Sequence, residues 1–197
     1  MTVSPRQTLP SAWVQRFASL IPAGEVLDLA CGSGRHARLL ATLGYRVEAV
    51  DRDAQALAAL RHVPGVTVRE SDLEAPGWPY AGRRFAGIVV TNYLFRPRVE
   101  QLLACLADPG LLIYETFMRG NERYGRPSNP DFLLASQELL GWAQQRSWRV
   151  LAYEEGYCDD PAPAVVQRLC AARGTIDSWP MLRKRGTFPS SAGVSFV

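Results

Sequence analysis

Short runs of aliphatic and β-branched residues alternate along the chain with segments whose apolar positions recur at helical spacing. That order predicts an α/β sheet joined by crossover helices. Trp13, Phe17 and Leu20 fall at i, i+4 and i+7 behind Ser11, a residue suited to N-capping, and Pro22-Ala23-Gly24 ends that helix. Glu25 to Ala30 reads as a first strand, Arg35 to Leu43 as a helix closed by Gly44, and Arg46 to Asp51 as a second strand. Asp53 is placed to cap a helix reaching Arg61, and Val66 to Arg69 is a third strand. Phe85 to Thr91 is apolar throughout, as expected of a strand buried on both faces. A helix from Val99 to Leu106, a strand from Leu111 to Glu115 and a helix from Ser136 to Arg146 follow. The last two strands, Arg149 to Glu154 and Ala164 to Ala171, are joined so briefly that an antiparallel hairpin is expected. The pattern divides the chain into a helical segment (1–24), a core (25–173) and an extension (174–197) richer in Gly, Ser and Pro.

Chemistry concentrates where the first strand meets its helix, at Asp28-Leu29-Ala30-Cys31-Gly32-Ser33-Gly34-Arg35. Glycines there let the backbone approach a ligand just ahead of a helix N-terminus. In an open parallel sheet this is the crevice where nucleotide-like cofactors bind. Gly32-x-Gly34-x-x-Ala37 also fits the dinucleotide pattern, and Asp51 suits a ribose hydroxyl in either reading. Asp28 separates the two readings: a carboxylate there faces a pyrophosphate with like charge, but attracts a cofactor bearing an ammonium and a sulfonium. That cofactor is S-adenosylmethionine.

With LDLACGSGRH, then AVD at 49–51 and SDL at 71–73, residues 25–173 resemble the class I S-adenosylmethionine-dependent methyltransferases. LLIYETF and RGNERYGRPSNPDFLL further resemble small bacterial methyltransferases related to the tellurite-resistance group. The resemblance implies a doubly wound, Rossmann-like sheet of seven strands, mostly parallel and ending in an antiparallel hairpin. It places Asp28, Ala30, Gly32, Ser33 and Gly34 around the methionine end of the cofactor, and Asp51 on the ribose with Arg52 beside the adenine. Asp72 would accept from the adenine amino group, with Leu73 packing nearby, and Thr91 and Asn92 would line the methyl-transfer side. S-adenosylhomocysteine is the implied product.

Methyl transfer from a sulfonium needs orientation more than covalent catalysis, so no catalytic triad is required, and none is visible. On the acceptor side, Tyr93 and Glu115 are the candidates for a base or orienting group, and Tyr93, Arg119, Arg123 and Arg126 for contacts to the acceptor. The long polar segment 118–130 is placed to act as a lid. His36 reads as a solvated helix residue and Cys31 as packing.

Composition narrows the class of acceptor. A formal charge of +3 is too small to argue for nucleic acid, and Thr91-Asn92-Tyr93 lacks the Asn/Asp-Pro-Pro-Tyr signature of enzymes that methylate a flipped base. The cluster Arg183-Lys184-Arg185 keeps an RNA or protein substrate in view. No apolar run approaches a membrane span and no signal segment opens the chain, which points to the cytoplasm. Four scattered cysteines and two histidines suggest reduced thiols and no metal centre. The expected protein is a methyltransferase for a small-molecule acceptor. An NAD(P)-dependent oxidoreductase and a cofactor-binding module without turnover are the rivals. Acceptor identity and oligomeric state are not legible.

Overall fold

The structure is a computed structural model, which describes residues 9–176. Seven strands form one sheet: β1 (Glu25–Leu29), β2 (Arg46–Asp51), β3 (Val66–Glu70), β4 (Phe85–Thr91), β5 (Leu106–Phe117), β6 (Arg149–Cys158) and β7 (Ala164–Arg173). Their spatial order is β3-β2-β1-β4-β5-β7-β6. The first five run parallel, and β7 lies antiparallel to both β5 and β6, as the hairpin reading expected.

Helices α1 (Ala12–Phe17), α2 (Arg35–Thr42) and α3 (Ala54–Ala58) pack on one face, and α4 (Val99–Ala104) and α5 (Glu138–Gln145) on the other. Strand alternation explains the division. In β1, Leu27 and Leu29 enter the core beneath α4 and α5, whereas Val26 joins Trp13, Phe17 and Leu40 on the opposite side. Every residue of β4 is buried, in keeping with its continuous apolar run. Ser11 does cap α1, its hydroxyl accepting from the Trp13 N–H at 3.1 Å.

Several elements differ from the pattern; β6 runs on to Cys158 rather than ending at Glu154, and α4 stops at Ala104 rather than Leu106. α3 stops at Ala58, three residues short of Arg61, where the chain turns toward the Gly65 loop. β5 begins at Leu106, pairing with Phe85 before a register shift, although Asp108-Pro109 carries no strand signal. The expected extension lies outside the described residues from 177 onward, as does its Arg183-Lys184-Arg185 cluster. No helix among the described residues is long and apolar enough to cross a membrane.

The strand order reverses between β1 and β4. Crossovers therefore leave the two strands on opposite faces, and a crevice opens beyond their carboxyl ends.

Candidate active site

Two hollows meet in that crevice. The smaller, 160 Å³, is lined by Ala30, Asp51, Arg52, Ser71, Asp72, Leu73, Glu74 and Tyr93. The larger, 980 Å³, runs from the Gly-rich turn across the ends of β4 and β5 to the β6–β7 loop. Ala30 borders both.

Backbone conformation shapes the shared rim. Ala30 has φ +53° and Asn92, at the end of β4, φ +56°. Both stand in the left-handed region, which suits an alanine poorly. Gly34 has φ +78°, and a Cβ there would fall 2.3 Å from the Leu60 side chain. Gly32 has φ +54° with open space where a Cβ would be, so its backbone borders the crevice without a side chain in between. The Asp51 carboxylate accepts from the Gly32 N–H at 2.8 Å and from the Asp53 N–H at 3.0 Å, which holds it on the rim of the smaller hollow.

Asp28 sits behind this surface. It alternates with Leu27 and Leu29, so its side chain leaves the sheet toward α2, where it accepts a hydrogen bond from the Ala37 backbone. It is 1% exposed, and among the described residues its Oδ2 has no hydrogen-bond partner. Burial pushes its pKa up to about 7; the Ala37 hydrogen bond and the Arg35 charge oppose that rise, and Asp51 adds to it. Asp28 lines neither hollow.

The remaining expected residues separate into two groups. Arg52, Asp72 and Leu73 line the smaller hollow; Gly32, Ser33, Thr91, Asn92, Glu115 and Arg126 line the larger. Tyr93 was expected on the acceptor side but lies with Asp72 in the smaller hollow, because the chain turns sharply at Asn92. Its hydroxyl is buried without a partner among the described residues, and burial raises its pKa. Arg119 and Arg123 are exposed and line neither hollow; of the three loop arginines, Arg126 alone borders the larger one.

His36 is not solvated. It is 1% exposed, its Nε2 accepts the Ser11 N–H at 3.0 Å, and its Nδ1 lies 3.4 Å from the Thr91 hydroxyl. Burial lowers its pKa to about 3, with Arg35 adding to the shift, so the ring is neutral at ordinary pH. One imidazole thereby joins the segment before α1, the Gly-rich turn and β4. Leu9, Pro10 and Ser11 of that segment, with Ala12 and Gln15 of α1, wall the larger hollow.

The segment expected to act as a lid is anchored at its borders. Arg96 forks onto Glu138 at 2.9 and 2.8 Å and donates to the Asp131 and Leu133 carbonyls. Met118 and Leu134 form a parallel bridge, and Asn121 bonds to Pro127 and Val165.

Sequence reasoning did not find Arg168. On β7 it stands directly opposite Glu115, with Nε 2.6 Å from the Glu115 Oε2, and lines the larger hollow. The identity of β7's neighbours was the missing signal.

Residues 26–108 match the family model described as a methyltransferase domain. Among curated proteins, the protein-L-isoaspartate O-methyltransferase of Chlorobaculum tepidum is 37% identical over 97 residues, which are 47% of this chain and 45% of that protein. The match thus spans under half of the relative's length. Among solved structures, TehB from Haemophilus influenzae superposes with a TM-score of 0.66 at 22% identity, covering 83% of this chain and 62% of that one. The 1,6-didemethyltoxoflavin-N1-methyltransferase of Burkholderia thailandensis gives 0.62 at 18%, covering 87% and 80%. The chain has the class I S-adenosylmethionine-dependent methyltransferase fold, and the matched segment contains its Gly-rich turn and the acidic ends of β1 and β2.

Proposed function

We propose that the protein transfers a methyl group from S-adenosylmethionine to a small-molecule acceptor. The observation that carries this reading is the pair of adjoining hollows meeting at Ala30. One is narrow and acid-rimmed beside an open glycine turn; the other is large enough for a separate molecule.

The residues present fit the cofactor. Asp51 has a carboxylate already oriented by two backbone N–H groups and suits the ribose hydroxyls. Arg52, Asp72, Leu73 and Tyr93 surround the space for the adenine. Gly32, with no Cβ, leaves room for the methionine portion across Ala30, Ser33 and Gly34. Asp28, in its ionised form, places a negative charge below the turn that favours the cationic portion. Bound there, S-adenosylmethionine supplies a methyl carbon whose bond to sulfur breaks as its bond to the acceptor forms, leaving S-adenosylhomocysteine. Thr91 and Asn92 line the side on which that exchange takes place, and the residues from Leu9 to Gln15 border it. The part of the chain that binds the acceptor is the larger hollow, with Glu115 and Arg126 as its candidate polar contacts.

Titration calorimetry with S-adenosylhomocysteine tests the reading. The unaltered chain binds it, and Asp51→Ala, which removes hydrogen bonds to a charged acceptor worth about 1.5–3 kcal/mol each, weakens binding at least tenfold. Thermal stabilisation by NADPH with none by S-adenosylmethionine would return the oxidoreductase reading.

A further inference from the structure

We propose that Glu115 orients the methyl acceptor by receiving a hydrogen bond from its N–H or O–H, and that a charge ladder of Arg168, Glu154 and Arg16 positions it. This deepens the methyltransferase reading and rests on it.

Glu115 and Asp160 are the acidic side chains lining the larger hollow among the described residues, and they are unlike each other. Asp160 is exposed in the β6–β7 loop, whereas Glu115 is 9% exposed on β5. Its backbone carbonyl accepts the Asn92 N–H at 2.9 Å, which fixes it beside the end of β4, on the side of the hollow nearest the Gly-rich turn. A carboxylate so placed loses much of its hydration, a cost that a charged partner offsets.

That partner is built into the sheet. Glu115 and Glu154 each stand opposite Arg168 in the register of β5, β7 and β6, so the three side chains project from one face. Arg168 Nε lies 2.6 Å from Glu115, its guanidinium 3.4 Å from Glu154, and Glu154 lies 3.6 Å from Arg16 of α1. The ladder runs from the floor of the hollow to the helix behind its N-terminal wall. Replacing such a chain by apolar residues commonly leaves stability unchanged or improves it, so its presence at a cavity is better explained by placement than by holding the fold together. Groups carried on paired strands are also held more tightly than groups on loops.

The pairing fixes the chemical role. The Glu115 Oε2 is held by the Arg168 guanidinium, which turns the carboxylate to one orientation on the wall of the hollow. The nearby thiols and His36 are not placed to act as a base. Burial raises the thiols of Cys31 and Cys158, and His36 turns toward Ser11 and Thr91. Glu115 therefore directs the donor-bearing atom of the acceptor, and the proton displaced on methylation leaves to solvent. The acceptor is a molecule whose methylated nitrogen or oxygen carries a hydrogen.

The test uses the full chain, Glu115→Gln, Arg168→Gln and Arg168→Lys. Each is measured for S-adenosylhomocysteine binding, for melting temperature, and for label transfer from tritiated S-adenosylmethionine across dilutions of a protein-free cell extract. Glu115→Gln and Arg168→Gln raise the apparent acceptor KM at least about tenfold while cofactor affinity stays within about twofold. Arg168→Lys, which keeps the cation but not the planar fork, recovers part of the loss and covers the case in which Arg168→Gln does not fold. Unchanged KM in the glutamine variants overturns the proposal, as does a loss of melting temperature and cofactor affinity together, the mark of a purely structural ladder. An unaltered chain that binds cofactor but labels nothing overturns the role of Glu115 while leaving the binding reading standing. Failure to bind S-adenosylhomocysteine at all overturns the methyltransferase reading itself, and this proposal with it.

Discussion

Ala30 holds a conformation that L-residues with a Cβ adopt at a cost, on the rim shared by the two hollows. The left-handed region costs roughly 1–2 kcal/mol for such a residue, and glycine adopts it freely. Ala30→Gly is therefore expected to stabilise the fold by about 1 kcal/mol, less the extra entropy glycine has when unfolded. Chemical denaturation of the two proteins checks this; a variant less stable than the parent shows that the methyl group's packing outweighs the strain. The residue pattern exposed this turn because a glycine pair after an acidic strand has few structural readings. It could not show that Asp28 faces α2, since a strand's alternation assigns a face only once the helices are placed. It also misread His36, which looks like any polar residue opening a helix until Ser11 and Thr91 are brought against it from distant positions.

At the level of elements, the strands were legible because β-branched runs bounded by turn residues have few alternatives. Exceptions arose where pairing overrode local signal. The start of β5 at Leu106, ahead of Asp108-Pro109, is a strand by its pairing with Phe85, and the meeting of Arg168 with Glu115 and Glu154 depends on β7 entering between β5 and β6. The segment after β5 looked like a lid because it is polar and long, yet Arg96 ties its far end. Lysine cannot reproduce that fork, so both Arg96→Lys and Arg96→Ala are expected to loosen the segment, by about 1–2 kcal/mol given that the arginine is partly exposed. Trypsin then cuts faster after Arg119 and Arg123 in the native state. Identical digestion patterns in the parent and both variants would falsify the anchoring role.

Across the whole molecule, two buried groups beside the turn give stability opposite dependences on pH. Asp28, with its pKa raised from 3.8 to about 7, favours the fold most when protonated, so its contribution falls as pH rises through that interval. His36, lowered from 6.5 to about 3, is folded neutral, so its contribution is present above 6.5 and falls as pH drops toward 3. Each slope is at most about 1.4 kcal/mol per pH unit. Between about pH 4 and 6.5 they oppose one another and the parent profile is nearly flat as far as these groups decide it. Asp28→Asn uncovers a stability that climbs with pH, and His36→Gln one that declines. Urea midpoints measured across this interval for all three proteins check the pair, and parallel curves refute it. The same titration links Asp28 to the cofactor: if its charged form favours the cationic portion, affinity for S-adenosylhomocysteine increases with pH near 7, and Asp28→Asn removes the increase.

The imidazole beneath Ser11 has one more effect. It shares its hold on the wall formed by Leu9 to Gln15 with the Arg35 guanidinium, which donates to the Leu9 carbonyl, and with Trp13 and Val14, which are buried in the core. Leu9 and Pro10, which precede that buried anchor and border the larger hollow, are then the part of the rim past which a small molecule would come and go.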